Sequence, residues 1–117
     1  MAQDFESVGK RNISNTQTIA GATTIVTSDS DDAIIGINAA NTGSSQILVS
    51  VLITDSSDTA SNTFFIVKDA PIPSGSSLQI IDGGSKIVLQ NGDVLKAYAD
   101  TASSCDVFTS IVDSIST

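Results

Sequence analysis

The chain of 117 residues has no histidine, no tryptophan, one cysteine, one tyrosine, one glutamate and two prolines, and only 5 of its residues are basic. Without histidine it lacks the commonest general base, the base of a Ser-His-Asp triad and the usual zinc ligand. The single cysteine, Cys105, permits no intramolecular disulfide. In "CDVFTSIV" it reads as a small apolar core residue rather than a reactive thiol. Glu6 is the only glutamate, and aromatics are scarce. The carboxylate pair in an aromatic-lined cleft that glycoside hydrolysis requires therefore has no natural source, nor does a stacking platform for sugars. "DGGSK" is followed by a strand pattern and does not match a phosphate loop, which opens a helix. The expectation is a protein that is not an enzyme, with no catalytic, cofactor-binding or metal residues, no cofactor and no small-molecule substrate.

The shortage of bases excludes partners as well. The net charge is −8, and Lys10 and Arg11 are the only adjacent bases. Nucleic acid and anionic membrane both call for a basic stripe, which is missing. No apolar run approaches the ~18 residues of a membrane-spanning helix. The opening "MAQDFESVGKR" is polar and acidic, unlike a signal peptide, so the sequon at Asn12 carries little meaning. The acidic excess reads as a device for solubility and against self-association.

What is present points to strands. Ile and Val dominate the apolar residues, Ser and Thr together number 31, and twelve of the thirteen acids are Asp. β-branched residues suit a pleated surface, while Ser, Asp, Asn and Gly favour turns over helix. Residues 1–15 show no sustained periodicity and read as a polar N-terminal arm. Residues 16–117 read as one β-sandwich domain, because short apolar runs alternate there with turn residues. "TTIVT" (23–27) is a strand. "AIIGINAA" (33–40) is the next, with Ile35, Ile37 and Ala39 expected on one face. "QILVSVLIT" (46–54) is the strongest, with Ile47, Val49, Val51 and Ile53 at period two. Leu48 and Leu52 lie on its other face, which suggests a strand covered on both sides. "DSSDTASN" (55–62) is an exposed loop and "TFFIVKD" (63–69) resumes strand. Ala70-Pro71-Ile72-Pro73 then excludes a central strand, and "APIPSGSS" reads as a corner where the chain leaves one sheet and enters the other. "SLQII" and "KIVL" follow. Asn91-Gly92 between two alternating runs is a type I′ hairpin signal that folds "DVLKAYA" back on "KIVL". "SSCDVFTSIVDSI" closes the domain, with Val107 and Ile111 on one face and Phe108 on the other. The sum is an all-β antiparallel two-sheet sandwich, jelly-roll-like, of about eight short strands.

One acidic stretch invites a metal test. "SDSDD" offers Asp29, Asp31 and Asp32, hard oxygens of the kind calcium takes, but the EF-hand glycine and terminal glutamate are missing. It reads as a solvated loop, and calcium binding is left open.

The segments "IIGINAANTGSSQILVSVLIT", "FFIVKDAPIPSGSSLQIIDGGSKIVLQNGDVLKAYAD" and "DVFTSIVDSI" carry an "ANT" turn, a "KDAPIP-G-SL" corner, a "DG–K-VL" strand and a "GD-L" return. Over residues 33–112 the chain resembles small virion proteins of tailed bacteriophages, notably phages of cyanobacteria and marine bacteria. The resemblance implies a structural part in the particle and a virion location. The partners it implies are copies of the same chain and other virion proteins. It brings no catalytic residues. An accessory subunit of the neck or tail is the first expectation. A capsid decoration (cement) protein is an alternative. A host-surface-binding module, using the loops 55–62 and 28–32 at a fibre or tail tip, is another. The arm is expected to supply assembly contacts through its large apolar residues Phe5, Val8 and Ile13 and its bases Lys10 and Arg11, since an ordered arm must gain contacts to offset its entropy.

Overall fold

Nine strands follow one another with no helix among the described residues, which in this computed structural model are 4–55, 63–81 and 86–113. They are β1 (Asp4–Lys10), β2 (Thr23–Thr27), β3 (Asp32–Asn41), β4 (Ile47–Thr54), β5 (Thr63–Ile72), β6 (Ser77–Ile81), β7 (Ile87–Leu89), β8 (Val94–Ala99) and β9 (Cys105–Asp113). All pairings are antiparallel. One sheet runs β1-β9-β3-β6, with β7 also on β3, and the other runs β2-β8-β4-β5. β7 pairs with the first residues of β3 and β6 with its last, so together they act as one interrupted strand. Counting them as one leaves two four-stranded sheets in which the chain crosses between sheets at nearly every step, the topology of a jelly roll. The expected β-sandwich is the fold.

The core between the sheets is aliphatic. Ile34, Ile37, Ile47, Val49, Val51, Ile72, Leu89, Leu95 and Val107 are all fully buried, and no phenylalanine is among the buried residues. In β4 the period-two set faces this core, with Ile47, Val49 and Val51 buried and Ile53 packed against them partly exposed. Leu52 is also fully buried, outside that cluster. It is in register with Phe65 of β5, whose register slips twice against β4.

Two corners carry the chain between sheets. At the first, β5 is an edge strand and tolerates Pro71, paired opposite Leu48. The Ser76 amide then donates to the Pro73 carbonyl at 3.1 Å, with Gly75 at φ +73°, and β6 begins in the opposite sheet. The corner read from "APIPSGSS" is where the chain changes sheet. Asn41 of the "ANT" turn braces it. Its buried amide donates to the Ser45 and Ile72 carbonyls at 2.7 and 2.9 Å, while its Oδ1 accepts from the Gly43 amide at 2.9 Å.

The second corner corrects an expectation. Asn91-Gly92 does not close a hairpin, because β7 lies in one sheet and β8 in the other. Gly92 has φ +93° but Asn91 is not in the positive-φ region, whereas a type I′ turn needs both. The turn is closed by the Asp93 amide on the Gln90 carbonyl at 2.9 Å. It is anchored to the end of β2 through the Ser28 amide on the Asp93 carbonyl and the Gly92 amide on the Ser28 carbonyl.

Two further differences have local causes. In β3 the register shifts between Ile34 and Gly36, so Ile34 joins Ile37 and Ala39 in the core and Ile35 turns outward. The arm expected over residues 1–15 is largely integrated: residues 4–10 form β1, paired along its whole length with β9. Ile13 is fully buried in the core, its amide donating to the Cys105 carbonyl at 2.9 Å. An edge strand needs few inward apolar residues, here Val8, and its backbone bonds to β9 supply the rest. That is too little for periodicity to register. The loop 55–62 lies beyond residue 55 outside the described residues, as do residues 82–85.

Candidate interaction surface

All four phenylalanines of the chain stand on its surface. Phe5 is 82% exposed, Phe64 55%, Phe108 54% and Phe65 41%. The core cluster between the sheets holds no aromatic ring, so these rings are not core that failed to close. Phe5 and Phe108 stand on the outer face of one sheet and Phe65 on the outer face of the other, while Phe64, in register with Ile53, lies on the core side of the edge strand β5.

The outer face of the β1-β9-β3-β6 sheet is set by alternation. In β1 the residues Phe5, Ser7 and Gly9 point outward and Val8 packs inward. In β9 Val107, Thr109 and Ile111 point inward, which leaves Phe108, Ser110 and Val112 outside. Register places Gly9 beside Phe108, and a Cβ on Gly9 would lie 3.1 Å from the Phe108 ring, so the ring rests on the bare glycine. Asn38 pairs with Phe108 on the other side and Gly36 with Ser110. The result is a shallow floor of small residues from which Phe5 and Phe108 rise.

On the other sheet Phe65 packs edge-on against Tyr98, centroids 6.5 Å apart and planes at 86°. Lys68 Nζ sits 5.3 Å from the Phe65 centroid. Tyr98, Ser50 and Leu52 are buried on this side, and the Asp69 amide donates to Ser50 Oγ at 2.9 Å. Phe65 thus closes a small second apolar layer, while Phe64 beside it remains free to meet solvent.

Of the five residues expected to make assembly contacts, four keep that possibility. Phe5, Lys10 and Arg11 are exposed, and Val8 is half-buried against the core. Ile13 is the correction: it plugs the interior and is 1% exposed, so no neighbour can reach it. The expectation overlooked Phe108. Its period-two position opposite Val107 and Ile111 was legible, but its seat on Gly9 depends on pairing between two distant segments.

The acidic loop assembles differently from its sequence. Asp29 and Asp32 meet Asp113 from the far end of the chain, their carboxylate oxygens within 4.8 Å of one another, and Asp31 is not in the group. Asp32 is 2% exposed, with Ser28 Oγ donating to its Oδ2 at 2.8 Å and Ser30 Oγ to its Oδ1 at 2.7 Å. Ser30 Oγ also lies 3.0 Å from Asp113 Oδ1 and 3.5 Å from Asp29 Oδ1, so three carboxylates converge on one hydroxyl whose single proton is given to one of them at a time. The hydrogen bond that the Asp113 carboxyl donates to Asp32 holds it above its ordinary range, with Ser30 opposing and partial burial and the charges of Asp32 and Glu6 adding. The cluster is thus knit by hydroxyls and a shared proton.

Cys105 is fully buried, and burial, with the Asp106 charge adding, pushes its thiol up to about 11. It stays protonated and shielded at neutral pH.

No protein-family model matches the chain, and no curated protein does. Among solved structures, the chain is similar to one in the structure of infectious bursal disease virus, Gx strain, at TM-score 0.52 and 12% identity over 99% of this chain and 34% of that one. A match to hydroquinone 1,2-dioxygenase from Sphingomonas sp. TTNP3 has 17% identity over 98% of this chain and 62% of that one, at a TM-score of 0.24 that carries no argument. The chain spans about a third of the length of the viral chain. At 12% identity the likeness is one of fold: the sandwich built here from β1 to β9 also occurs in a chain of a virus structure.

Proposed function

We propose that this protein is a non-enzymatic structural subunit of a virus particle that works by joining neighbours through its sheet faces and edges. The observation that carries the reading is the placement of every phenylalanine on the surface of a domain whose core cluster holds no aromatic ring. Burying one such ring in a contact contributes about 1.5–3 kcal/mol. A cluster of exposed rings on a sheet face marks a contact surface rather than a solvated one. The fold supports the reading at a coarser level, since jelly rolls recur in viral capsid domains, although they also serve lectins and cupins.

The finer placement follows the sequence resemblance over residues 33–112: an accessory subunit of the neck or tail of a tailed phage. A capsid decoration subunit is the second reading, favoured by the jelly-roll topology itself. Partners in either case are copies of this chain and other virion proteins. The host-surface module loses one of its supports. Ser28 and Asp32 of the loop 28–32 are buried and tied to one another, and the loop offers little free contact edge.

The test is incorporation. Phe108→Ser on the outer face leaves the core untouched, so the isolated domain melts as the parent does while the variant enters particles poorly. Equal incorporation of parent and variant, measured by mass spectrometry of purified particles, removes this face from assembly.

A further inference from the structure

Among the described residues β1 ends its sheet, with β9 on one side and no strand of its own sheet on the other. Reversed about Ser7, the strand sets Asp4 on Lys10 and Phe5 on Gly9, with Glu6 on Val8 the one pair that gains nothing. We infer that the free edge of β1 pairs antiparallel with β1 of a second copy of this chain, about a two-fold axis through Ser7, so that two sheets become one. The inference rests on the assembly reading above and deepens it by naming the joint.

Three features converge on that register. First, a two-fold axis that keeps both outer faces on the same side of the joined sheet pairs only residues of like facing. Among such registers the one centred on Ser7 alone pairs the whole strand. Second, it sets Phe5 directly opposite Gly9 of the second copy. That glycine is already flanked on its other side by Phe108, so two rings cover one bare position, a known way of protecting glycine in a sheet. Phe5 is the most exposed large apolar residue described. Third, it sets Asp4 across from Lys10 twice over, with Arg11 following. Parallel pairing would set like charge on like. Charged residues on an edge usually prevent edge pairing, but in this order of signs they favour it.

The register makes a sharp test. Residue 7 meets its own copy, at a Cα separation of about 4.5–5.5 Å whichever kind of antiparallel pair it forms. That lies inside the range a disulfide spans, about 4.4–6.8 Å. Ser7→Cys in the full chain is therefore expected to give a covalent dimer on mild oxidation, since Cys105 is buried and does not compete. Phe5→Cys is expected to stay monomeric, its two copies being about 13 Å apart. In sedimentation of unmodified chains, Lys10→Glu weakens the dimer by roughly tenfold or more, and adding Asp4→Lys restores it. A Ser7→Cys chain that stays monomeric, or a Phe5→Cys chain that links equally well, overturns the joint. Its failure is separable from that of the particle reading. Cross-linking at residue 7 by a chain missing from purified particles keeps the joint and removes the particle role. A chain present in particles but unlinked at residue 7, in solution and in the particle, does the reverse.

Discussion

Thr109 lies on the inward face of β9, fully buried between Val8 and Ile37 in register, and its hydroxyl has no hydrogen-bond partner. An unsatisfied buried hydroxyl costs about 1–3 kcal/mol. Thr109→Val keeps the shape and removes the cost, so it should stabilise by about 1 kcal/mol and raise Tm by about 4 °C in thermal denaturation. The acidic cluster gives a second prediction at this scale. The Asp113 carboxyl is raised above its ordinary value in the folded chain, so between the two values the folded chain binds its proton more readily than the unfolded one. Stability from this group is therefore present at low pH and lost as pH rises from the ordinary carboxylate value through the raised one. Asp113→Asn should flatten that part of a stability-against-pH profile measured by urea denaturation. Neither feature was legible in the sequence. Asp113 is far along the chain from Asp29 and Asp32, and Thr109 looks like any polar residue within a strand. Ile13 was misread for a related reason: a lone apolar residue among polar neighbours has no period, and only its docking beside Cys105 makes it core.

Elements were read better than their pairing. β2 and β4 are where alternation of β-branched residues puts them, and β5 continues through the first proline because it lies on an edge. The errors came from what periodicity does not encode. A bulge between Ile34 and Gly36 puts Ile34 in the core in place of Ile35, while Ile37 and Ala39 face inward as alternation places them. Asn91-Gly92 looks like a hairpin because turn chemistry fixes a local bend and not the sheet that the next strand joins. The corner at residues 73–76 was legible because Pro73 and the turn residues after it end the strand, although the ladder continues through Pro71 to Ile72. What sequence did not disclose is its brace, Asn41, which bonds a carbonyl 31 residues away. Asn41→Ala leaves the buried Ile72 carbonyl short of that donor and frees the turn at Gly43. It should cost about 2–3 kcal/mol by chemical denaturation with the m-value unchanged.

At the scale of the molecule, an aliphatic core closes the sandwich and leaves four rings outside it, two on each sheet. The composition showed few aromatics but not where they lie. A surface role for Phe5 was readable from its polar surroundings, whereas that of Phe108 needed the pairing of β1 with β9. Phe65 is partly spent within the chain on Tyr98, so the face bearing Phe5 and Phe108 is the one that assembly should cover. Location of this chain in a reconstruction of the intact particle tests that claim most directly. The account predicts several copies at symmetric positions, with the outer face of the β1-β9-β3-β6 sheet buried on a neighbour and both rings out of solvent. Density for this chain at a distal tip, with Phe5 and Phe108 facing water, or no density for it anywhere in the particle, would contradict the account.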